Sequence, residues 1–184
     1  MPTNMKADHY YGATAKNYEA QRQGPTWNWE HEFVRANLGD AKTVVDVPVG
    51  TGRFLPLYQK AGIEAVGLDV SADMLELARR KGYGDIRKGD ILKLKDKADL
   101  GVCFRMMMWL SLEQCEIALG KLADCVPRLL LTVQLGKPKL GGTIVHPEDK
   151  FRAILDQRWV SVKEDCEPCK GGFYYLMELE RKHG

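Results

Sequence analysis

The residues with the clearest chemical potential form a glycine-containing turn after an apolar run. The stretch Asp46-Val47-Pro48-Val49-Gly50-Thr51-Gly52-Arg53 follows Thr43-Val44-Val45 and leads into a helical pattern. A strand, a glycine turn and a helix in this order present backbone N–H groups and an unobstructed surface to a ligand. Asp69 ends the next apolar run, and its carboxylate could accept hydrogen bonds from both hydroxyls of a ribose. The pattern predicts a site for a cofactor that contains a nucleoside.

Two common nucleotide-binding motifs do not fit this turn. A dinucleotide fingerprint requires a third glycine three residues after the second, and Leu55 occupies that position. A P-loop requires Gly-Lys-Ser/Thr, whereas Arg53 and Phe54 follow Gly52. The cofactor is therefore expected to be neither a nicotinamide dinucleotide nor a nucleotide held by a P-loop.

Three motifs together resemble those of class I S-adenosylmethionine-dependent methyltransferases. They are the turn with Asp46, Gly50 and Gly52, then Gly67-Leu68-Asp69-Val70-Ser71-Ala72-Asp73-Met74-Leu75, then Gly89-Asp90-Ile91. Their order and spacing match the family over roughly residues 43 to 110. Pro48 replaces the usual first glycine, which removes one backbone N–H and stiffens the turn. The resemblance implies S-adenosyl-L-methionine as the cofactor and methyl transfer as the reaction.

The resemblance also implies which residues contact the cofactor. Asp69 would bind the ribose, Met74 would pack against adenine, and Asp90 with the Ile91 N–H would recognise the adenine edge. Asp46 would order the turn or reach the cofactor amino group through water. Met74 could instead be an ordinary core residue and Asp90 a solvated acid. The expected cofactor-binding residues are Asp46, Pro48, Gly50, Gly52, Arg53, Asp69, Val70, Met74, Asp90, Ile91, Tyr18 and Arg22.

An N-terminal tyrosine cluster resembles the segment that closes over the cofactor in small-molecule methyltransferases. Tyr10, Tyr11, Tyr18 and Arg22 lie in the string Tyr-Tyr-Gly-Ala-Thr-Ala-Lys-Asn-Tyr-Glu-Ala-Gln-Arg. A tyrosine hydroxyl or an arginine there would hold the methionine carboxylate, and Arg53 is a competing candidate. The alternative is an amphipathic helix packed on the edge of the sheet.

No residue is an obvious catalytic group, and the weak candidates are Arg105, His146 and Tyr11. Arg105 follows the fourth predicted strand and could bind an anionic group of the substrate. His146 could act as a base, because its ordinary pKa is near 6.5, or could simply begin a helix with Pro147. Methyl transfer depends mainly on alignment of the nucleophile, so a dedicated base is needed only for weakly acidic acceptors.

The expected acceptor is a small organic molecule. Its pocket would be formed by the N-terminal tyrosines, Trp27, the run Arg105–Trp109 and the loop that ends at His146. Amine-directed DNA methyltransferases carry an Asp/Asn-Pro-Pro-aromatic motif after the fourth strand, and Phe104-Arg105-Met106-Met107 does not match it. A methyltransferase acting on RNA or protein, and a non-catalytic cofactor-binding partner subunit, remain alternatives. The identity of the acceptor and the oligomeric state are open.

Composition indicates one globular domain of 184 residues, 45% hydrophobic and 28% charged, with a net charge of +2. Residues 1–40 would form a helical lid region and residues 41–184 a Rossmann-like core. No apolar stretch approaches the ~18 residues of a membrane helix, and no secretion signal is evident. A cytoplasmic location with reduced cysteines is expected. Cys166-Glu167-Pro168-Cys169 is the single Cys-x-x-Cys motif of the chain, and a structural zinc site needs four ligands, so no metal site is expected. The two cysteines are expected to be a reduced pair in a loop.

Strands and helices alternate along the chain, which predicts an α/β fold. The expected architecture is a three-layer α/β/α sandwich, a mostly parallel seven-stranded sheet whose order and reversed last strand the resemblance supplies. Predicted strands cover 43–47, 64–69, 86–88, 99–104, 128–134, 159–163 and 173–180. Predicted helices cover 8–22, 28–37, 52–61, 71–81, 111–124 and 147–157. The glycine turn would lie at the carboxyl ends of the strands, where such sheets bind ligands.

Overall fold

The computed structural model describes Tyr18 and residues 24–137, 143–169 and 171–182. Within these ranges the strands are β1 (Thr43–Asp46), β2 (Glu64–Asp69), β3 (Asp85–Lys88), β4 (Leu100–Cys103), β5 (Arg128–Gly136), β6 (Trp159–Cys169) and β7 (Gly172–Arg181). They form one sheet in the order β3-β2-β1-β4-β5-β7-β6. Strand β7 pairs antiparallel with both β5 and β6, and the remaining pairs are parallel. The predicted mostly parallel sheet with a reversed last strand is confirmed.

Five α-helices are described: α1 (Pro25–Ala36), α2 (Leu55–Ala61), α3 (Ala72–Arg79), α4 (Leu112–Cys125) and α5 (Glu148–Leu155). Short 3-10 turns follow β3 and β4 at Ile91–Lys93 and Met107–Trp109. Ser111 and Gln114 form the predicted capping box before α4, which satisfies backbone N–H groups at the start of the helix. The predicted helix over 8–22 lies outside the described residues, apart from Tyr18.

The sheet lies between two layers of helices, and apolar residues pack on both of its faces. Successive side chains of a strand point to opposite faces, and Val44 and Val45 accordingly belong to the two different core clusters. Helices α4 and α5 pack on the Val45 face, while α1, α2 and α3 pack on the Val44 face. A parallel strand that is covered on both faces needs a continuous apolar run rather than alternation. This explains why β1 and β5 were clear from the sequence.

Strand β6 is longer than its sequence pattern predicts, because it continues from residue 163 to Cys169. Most of this strand is polar and exposed, so it carries no apolar periodicity. Among the described residues it pairs only with β7, and an edge strand tolerates the missing N–H of Pro168. The placement of Cys166 and Cys169 in a loop was therefore wrong. Three residues apart in a strand, their side chains point to opposite faces and cannot converge on one ion.

The described residues contain no group of three or more His, Cys, Asp or Glu side chains arranged to hold a metal ion. None of the helices in the described ranges has both the length and the apolar character required to cross a membrane.

Candidate active site

The candidate site lies where the strand order reverses, between β1 and β4 at the carboxyl edge of the sheet. A cavity opens there, beside the turn that follows β1. Residues predicted from the sequence that line it are Tyr18, Pro48, Gly50, Arg53, Asp69, Val70, Met74, Arg105, Met106 and Trp109. The remaining lining residues are Val49, Thr51, Phe54 and Phe104.

The turn after β1 is held by backbone hydrogen bonds to its neighbours. The Val47 N–H donates to the Val102 carbonyl at 2.9 Å, and the Val49 N–H donates to the Leu68 carbonyl at 2.8 Å. The Val47–Pro48 peptide bond is cis. These contacts tie the turn to the tips of β2 and β4, so its backbone forms one wall of the cavity.

Glycine is required at positions 50 and 52 of the turn for different structural reasons. Both have positive φ, +55° at Gly50 and +74° at Gly52, and L side chains rarely adopt this conformation. A Cβ at Gly50 would meet nothing within 4 Å, whereas one at Gly52 would lie 2.6 Å from Leu55 Cδ1. Gly50 therefore leaves room for a ligand, and Gly52 allows α2 and α3 to pack closely. Gly52 does not line the cavity.

Asp69 is buried at the tip of β2, and both of its carboxylate oxygens are oriented by backbone donors. Oδ2 accepts from the Gly50 N–H at 3.0 Å, and Oδ1 accepts from the Ser71 N–H at 2.9 Å. Each carboxylate oxygen can accept more than one hydrogen bond, and a carboxylate at this edge of the sheet is the group type that binds a diol. Ser71 caps α3, as its Oγ accepts from the Met74 N–H at 3.4 Å. Helix capping therefore does not account for Asp69.

The predicted adenine contacts are only partly brought together. Met74 and Val70 line the cavity. Asp90 and Ile91 do not: Asp90 Oδ1 accepts from the Leu92 N–H at 3.0 Å, and the Ile91 side chain is buried in the core. Recognition of adenine by Asp90 and the Ile91 N–H stays a prediction.

Asp46 lies beneath the turn rather than in the cavity wall. It is buried at the end of β1, and its Oδ2 accepts a hydrogen bond of 3.0 Å from the Tyr58 hydroxyl. Burial raises the pKa of Asp46 to about 7, although the Tyr58 hydrogen bond and the positive charge of Arg53 act in the opposite direction. This acid supports the turn from inside the fold.

The raised pKa of Asp46 makes folding stability depend on pH. The folded state holds this proton more tightly than the unfolded chain, so stability is present below about pH 4 and is lost as pH rises to about 7. Asp46→Asn keeps the side-chain shape but cannot ionise. We expect it to be more stable than the wild type at pH 8, by up to roughly 4 kcal/mol, with the difference shrinking towards pH 4.

Urea denaturation at a series of pH values measures this effect. Asp73→Asn is the matched control, because Asp73 is exposed on α3 and should give a nearly constant difference. A difference between Asp46→Asn and wild type that does not change between pH 4 and pH 8 would contradict the raised pKa.

A buried ion cluster contributes two arginines to the cavity wall. Glu30, on α1, is fully buried. Its Oε2 lies 2.5 Å from Arg53 Nη1, and its Oε1 lies 2.9 Å from Arg105 Nε. The Tyr174 hydroxyl also donates to Oε1. One carboxylate therefore holds two guanidinium groups, both of which line the cavity.

Aromatic rings complete this wall. The Arg53 guanidinium lies 4.2 Å from the ring centroids of both Trp27 and Phe54, a distance at which cation–π attraction is effective. Tyr18 packs edge-on against Trp27, with ring centroids 6.3 Å apart. Helix α1 thus carries residues from the N-terminal part of the chain into the site.

Arg105 has an unusual backbone conformation, with φ of +61°. A residue other than glycine is rarely left-handed, and such conformations persist where surrounding contacts enforce them. Here the Arg105 N–H donates to Thr132 Oγ1 at 2.7 Å, and its side chain is held by Glu30. The chain after β4 therefore turns so that the guanidinium points into the cavity.

His146 does not line the cavity, and its role as a base stays a prediction. It is buried, with Nε2 donating to the Met107 carbonyl at 2.8 Å and its ring stacked on Phe151 at 5.4 Å. Burial lowers the pKa of His146. It joins the end of β5 to the Met107–Trp109 turn. Tyr11 and Arg22 lie outside the described residues.

Sequence reasoning missed Glu30, which organises both arginines. The available signal was its position on α1, since residues 27, 30, 33 and 34 share one helical face. An acid among Trp27, Phe33 and Val34 requires a partner when that face is buried. Phe54, whose ring meets that of Phe104 edge-to-face at 5.2 Å, was also missed as a cavity residue.

Residues 44–127 match a family model described as a methyltransferase domain. Magnesium protoporphyrin IX methyltransferase (ChlM) from Synechocystis PCC 6803, solved with bound SAM, is 19% identical with a TM-score of 0.75, and the match covers 99% of this chain and 98% of that chain. N-methyltransferase NodS from Bradyrhizobium japonicum WM9, in complex with S-adenosyl-L-homocysteine, is 16% identical with a TM-score of 0.69, covering 88% and 90%.

Geranyl diphosphate methyltransferase, in complex with GPP and sinefungin, is 15% identical with a TM-score of 0.69, covering 84% of this chain and 78% of that chain. No sequence match was found among curated proteins. At these identities the solved structures establish the fold, and the family model establishes the domain within it. Residues 44–127 therefore match a methyltransferase domain, and the chain has the fold of the methyltransferases named above.

Proposed function

We propose that this protein transfers a methyl group from S-adenosylmethionine to a small organic molecule. The observation that carries the proposal is the convergence of the glycine turn, Asp69 and Met74 on one cavity at the switch point of the sheet. The residues present fit the cofactor, because Gly50 leaves open space beside an acid already oriented by backbone donors.

Each part of the cofactor has a matching part of the site. Asp69 would accept from the ribose hydroxyls, and Met74 with Val70 would pack against the adenine. Arg53 and Tyr18, which also line the cavity, would hold the methionine carboxylate. When bound, the cofactor supplies an electrophilic methyl group on its sulfonium.

The site works mainly by positioning. Among the described residues that line the cavity, Asp69 is the only acid, and none is histidine or cysteine. The acceptor therefore has to bring its own nucleophile, and the protein aligns it and excludes water. An aromatic and methionine-rich wall of Phe54, Phe104 and Met106 suits this exclusion.

The region of residues 1–40 acts as a lid over this site in our proposal. Its described part supports this role, since α1 brings Trp27 and Glu30 into contact with Arg53. Small-molecule specificity is further supported by the relatives: two of them are named for magnesium protoporphyrin IX and geranyl diphosphate. RNA or protein as the acceptor is the second candidate, and labelled-methyl transfer into separate metabolite, RNA and protein pools distinguishes them.

Calorimetric titration tests the cofactor. We expect S-adenosylhomocysteine to bind at one site per chain, and NAD not to bind. Gly50→Ala should weaken that binding by roughly tenfold or more, because its Cβ would enter the cavity at a strained φ.

Gly120→Ala is the control for this titration. Gly120 lies in α4 and also has open space around a Cβ, but it is remote from the site. Failure of folded wild-type protein to bind S-adenosylhomocysteine, or equal affinity of the Gly50→Ala variant, would overturn this assignment.

A further inference from the structure

A second cavity adjoins the first, and Arg105 lines both. Its inner wall includes Gln134 of β5, Tyr174 of β7 and Met108. Glu167 lines it from the exposed edge strand β6. This cavity is therefore built from strands beyond β4, on the far side of Arg105 from the glycine turn.

The two arginines of the ion cluster are placed differently. Arg53 lines the first cavity and not the second, and its guanidinium lies 4.2 Å from the ring centroids of both Trp27 and Phe54. Arg105 stands at the boundary of the two cavities, with its side chain 17% exposed. Its hydrogen bonds to Glu30 both run from Nε. Toward the residues the structure describes, its two terminal nitrogens make no hydrogen bond, so they are available to a ligand.

The charge of the cluster is unbalanced. Glu30 supplies one negative charge, and Arg53 and Arg105 supply two positive charges. S-adenosylmethionine carries a further net positive charge, from its sulfonium and amine against one carboxylate. Glu167 is exposed at the mouth of the second cavity, where solvent screens it. A molecule that binds beside Arg105 is therefore favoured if it is an anion.

The geometry of the donor adds to this preference. The planar fork of a guanidinium matches the oxygens of a carboxylate or phosphate. The left-handed backbone at Arg105 places the guanidinium at the boundary of the two cavities. Such a backbone conformation is unfavourable for arginine, and it persists only where surrounding contacts enforce it. Resting on the proposed methyl transfer, we infer that the second cavity binds the methyl acceptor and that Arg105 selects an acceptor carrying an oxyanion group.

The test uses labelled-methyl S-adenosylmethionine and a cell metabolite extract separated by strong anion exchange into retained and unretained pools. We expect label in the retained pool. Phosphatase treatment of that pool distinguishes the two sources of the oxyanion: loss of labelling identifies a phosphate, and persistence identifies a carboxylate.

Variants of Arg105 complete the test. Arg105→Met should lower labelling by roughly tenfold or more, with the dissociation constant of S-adenosylhomocysteine within about threefold of wild type. Arg105→Lys, which keeps the charge, should recover part of the activity. It also keeps the test interpretable if Arg105→Met does not fold. Arg80→Met is the control, since Arg80 is exposed and pairs only with Glu76 among the described residues.

Three outcomes would overturn the inference. Label that enters only the unretained pool excludes an anionic acceptor. A parallel loss of S-adenosylhomocysteine affinity and labelling in Arg105→Met assigns Arg105 to the cofactor. Absence of label from every pool, with wild-type protein that binds S-adenosylhomocysteine, overturns the proposed methyl transfer and this inference with it.

Discussion

Replacing Glu30 with alanine is expected to destabilise the fold by about 3–5 kcal/mol. Glu30 is fully buried and is the shared partner of Arg53 and Arg105. Its removal would leave two largely buried guanidinium groups without their counter-charge. The Tyr174 hydroxyl would lose its acceptor as well.

Chemical denaturation followed by tryptophan fluorescence measures this loss. Glu30→Gln retains an acceptor of the same shape but no charge, so it separates the lost charge from the lost packing. Glu32→Ala on the same helix removes an exposed ion pair with Arg35 and should change stability far less than Glu30→Ala, because solvent screens exposed pairs. If Glu30→Ala is as mild as Glu32→Ala, the cluster does not hold the wall of the site.

Asp69→Ala should weaken S-adenosylhomocysteine binding by roughly 100-fold or more. Two hydrogen bonds from ribose hydroxyls to an ionised carboxylate contribute about 1.5–3 kcal/mol each. The same change removes the acceptor of the Gly50 and Ser71 N–H groups, so the melting temperature should fall too. Titration calorimetry must therefore be carried out below the melting range of the variant.

Two companion variants make this result specific. Asp69→Asn preserves the shape and one acceptor oxygen, and should bind more tightly than Asp69→Ala but less tightly than wild type. Asp73→Ala changes an exposed acid in the first turn of α3 and should leave affinity unaltered. Wild-type affinity in a folded Asp69→Ala protein would place the ribose elsewhere.

The sheet, the glycine turn and Asp69 could be predicted because the sequence patterns that indicate them are local. Strands β1 and β2 are short apolar runs, each followed directly by an acid at the sheet edge. The glycine turn lies between β1 and α2, so strand, turn and helix are contiguous in the chain. Parallel pairing then brings Asp46 and Asp69 to the same edge without further information.

The ion cluster around Glu30 and the length of β6 depend on contacts between residues that are distant in the sequence. Glu30 meets Arg105 across 75 positions and Tyr174 across 144 positions, and no periodicity in α1 reveals those partners. The left-handed conformation of Arg105 follows from Thr132 and Glu30 rather than from its neighbours in the chain. The full length of β6 follows from pairing with β7, because its own residues are too polar to predict a strand.

The edge strand β6 bears on how the protein behaves at high concentration. A sheet edge offers unpaired N–H and carbonyl groups to another molecule, and edges of this kind seed intermolecular β-sheet growth. Here the outer strand carries Lys163, Glu164 and Asp165, lacks one N–H at Pro168 and has a register shift between Ser161 and Lys163. Charge, a missing donor and local twist each disfavour the docking of a foreign strand. These three features therefore disfavour aggregation through the eleven-residue edge strand β6.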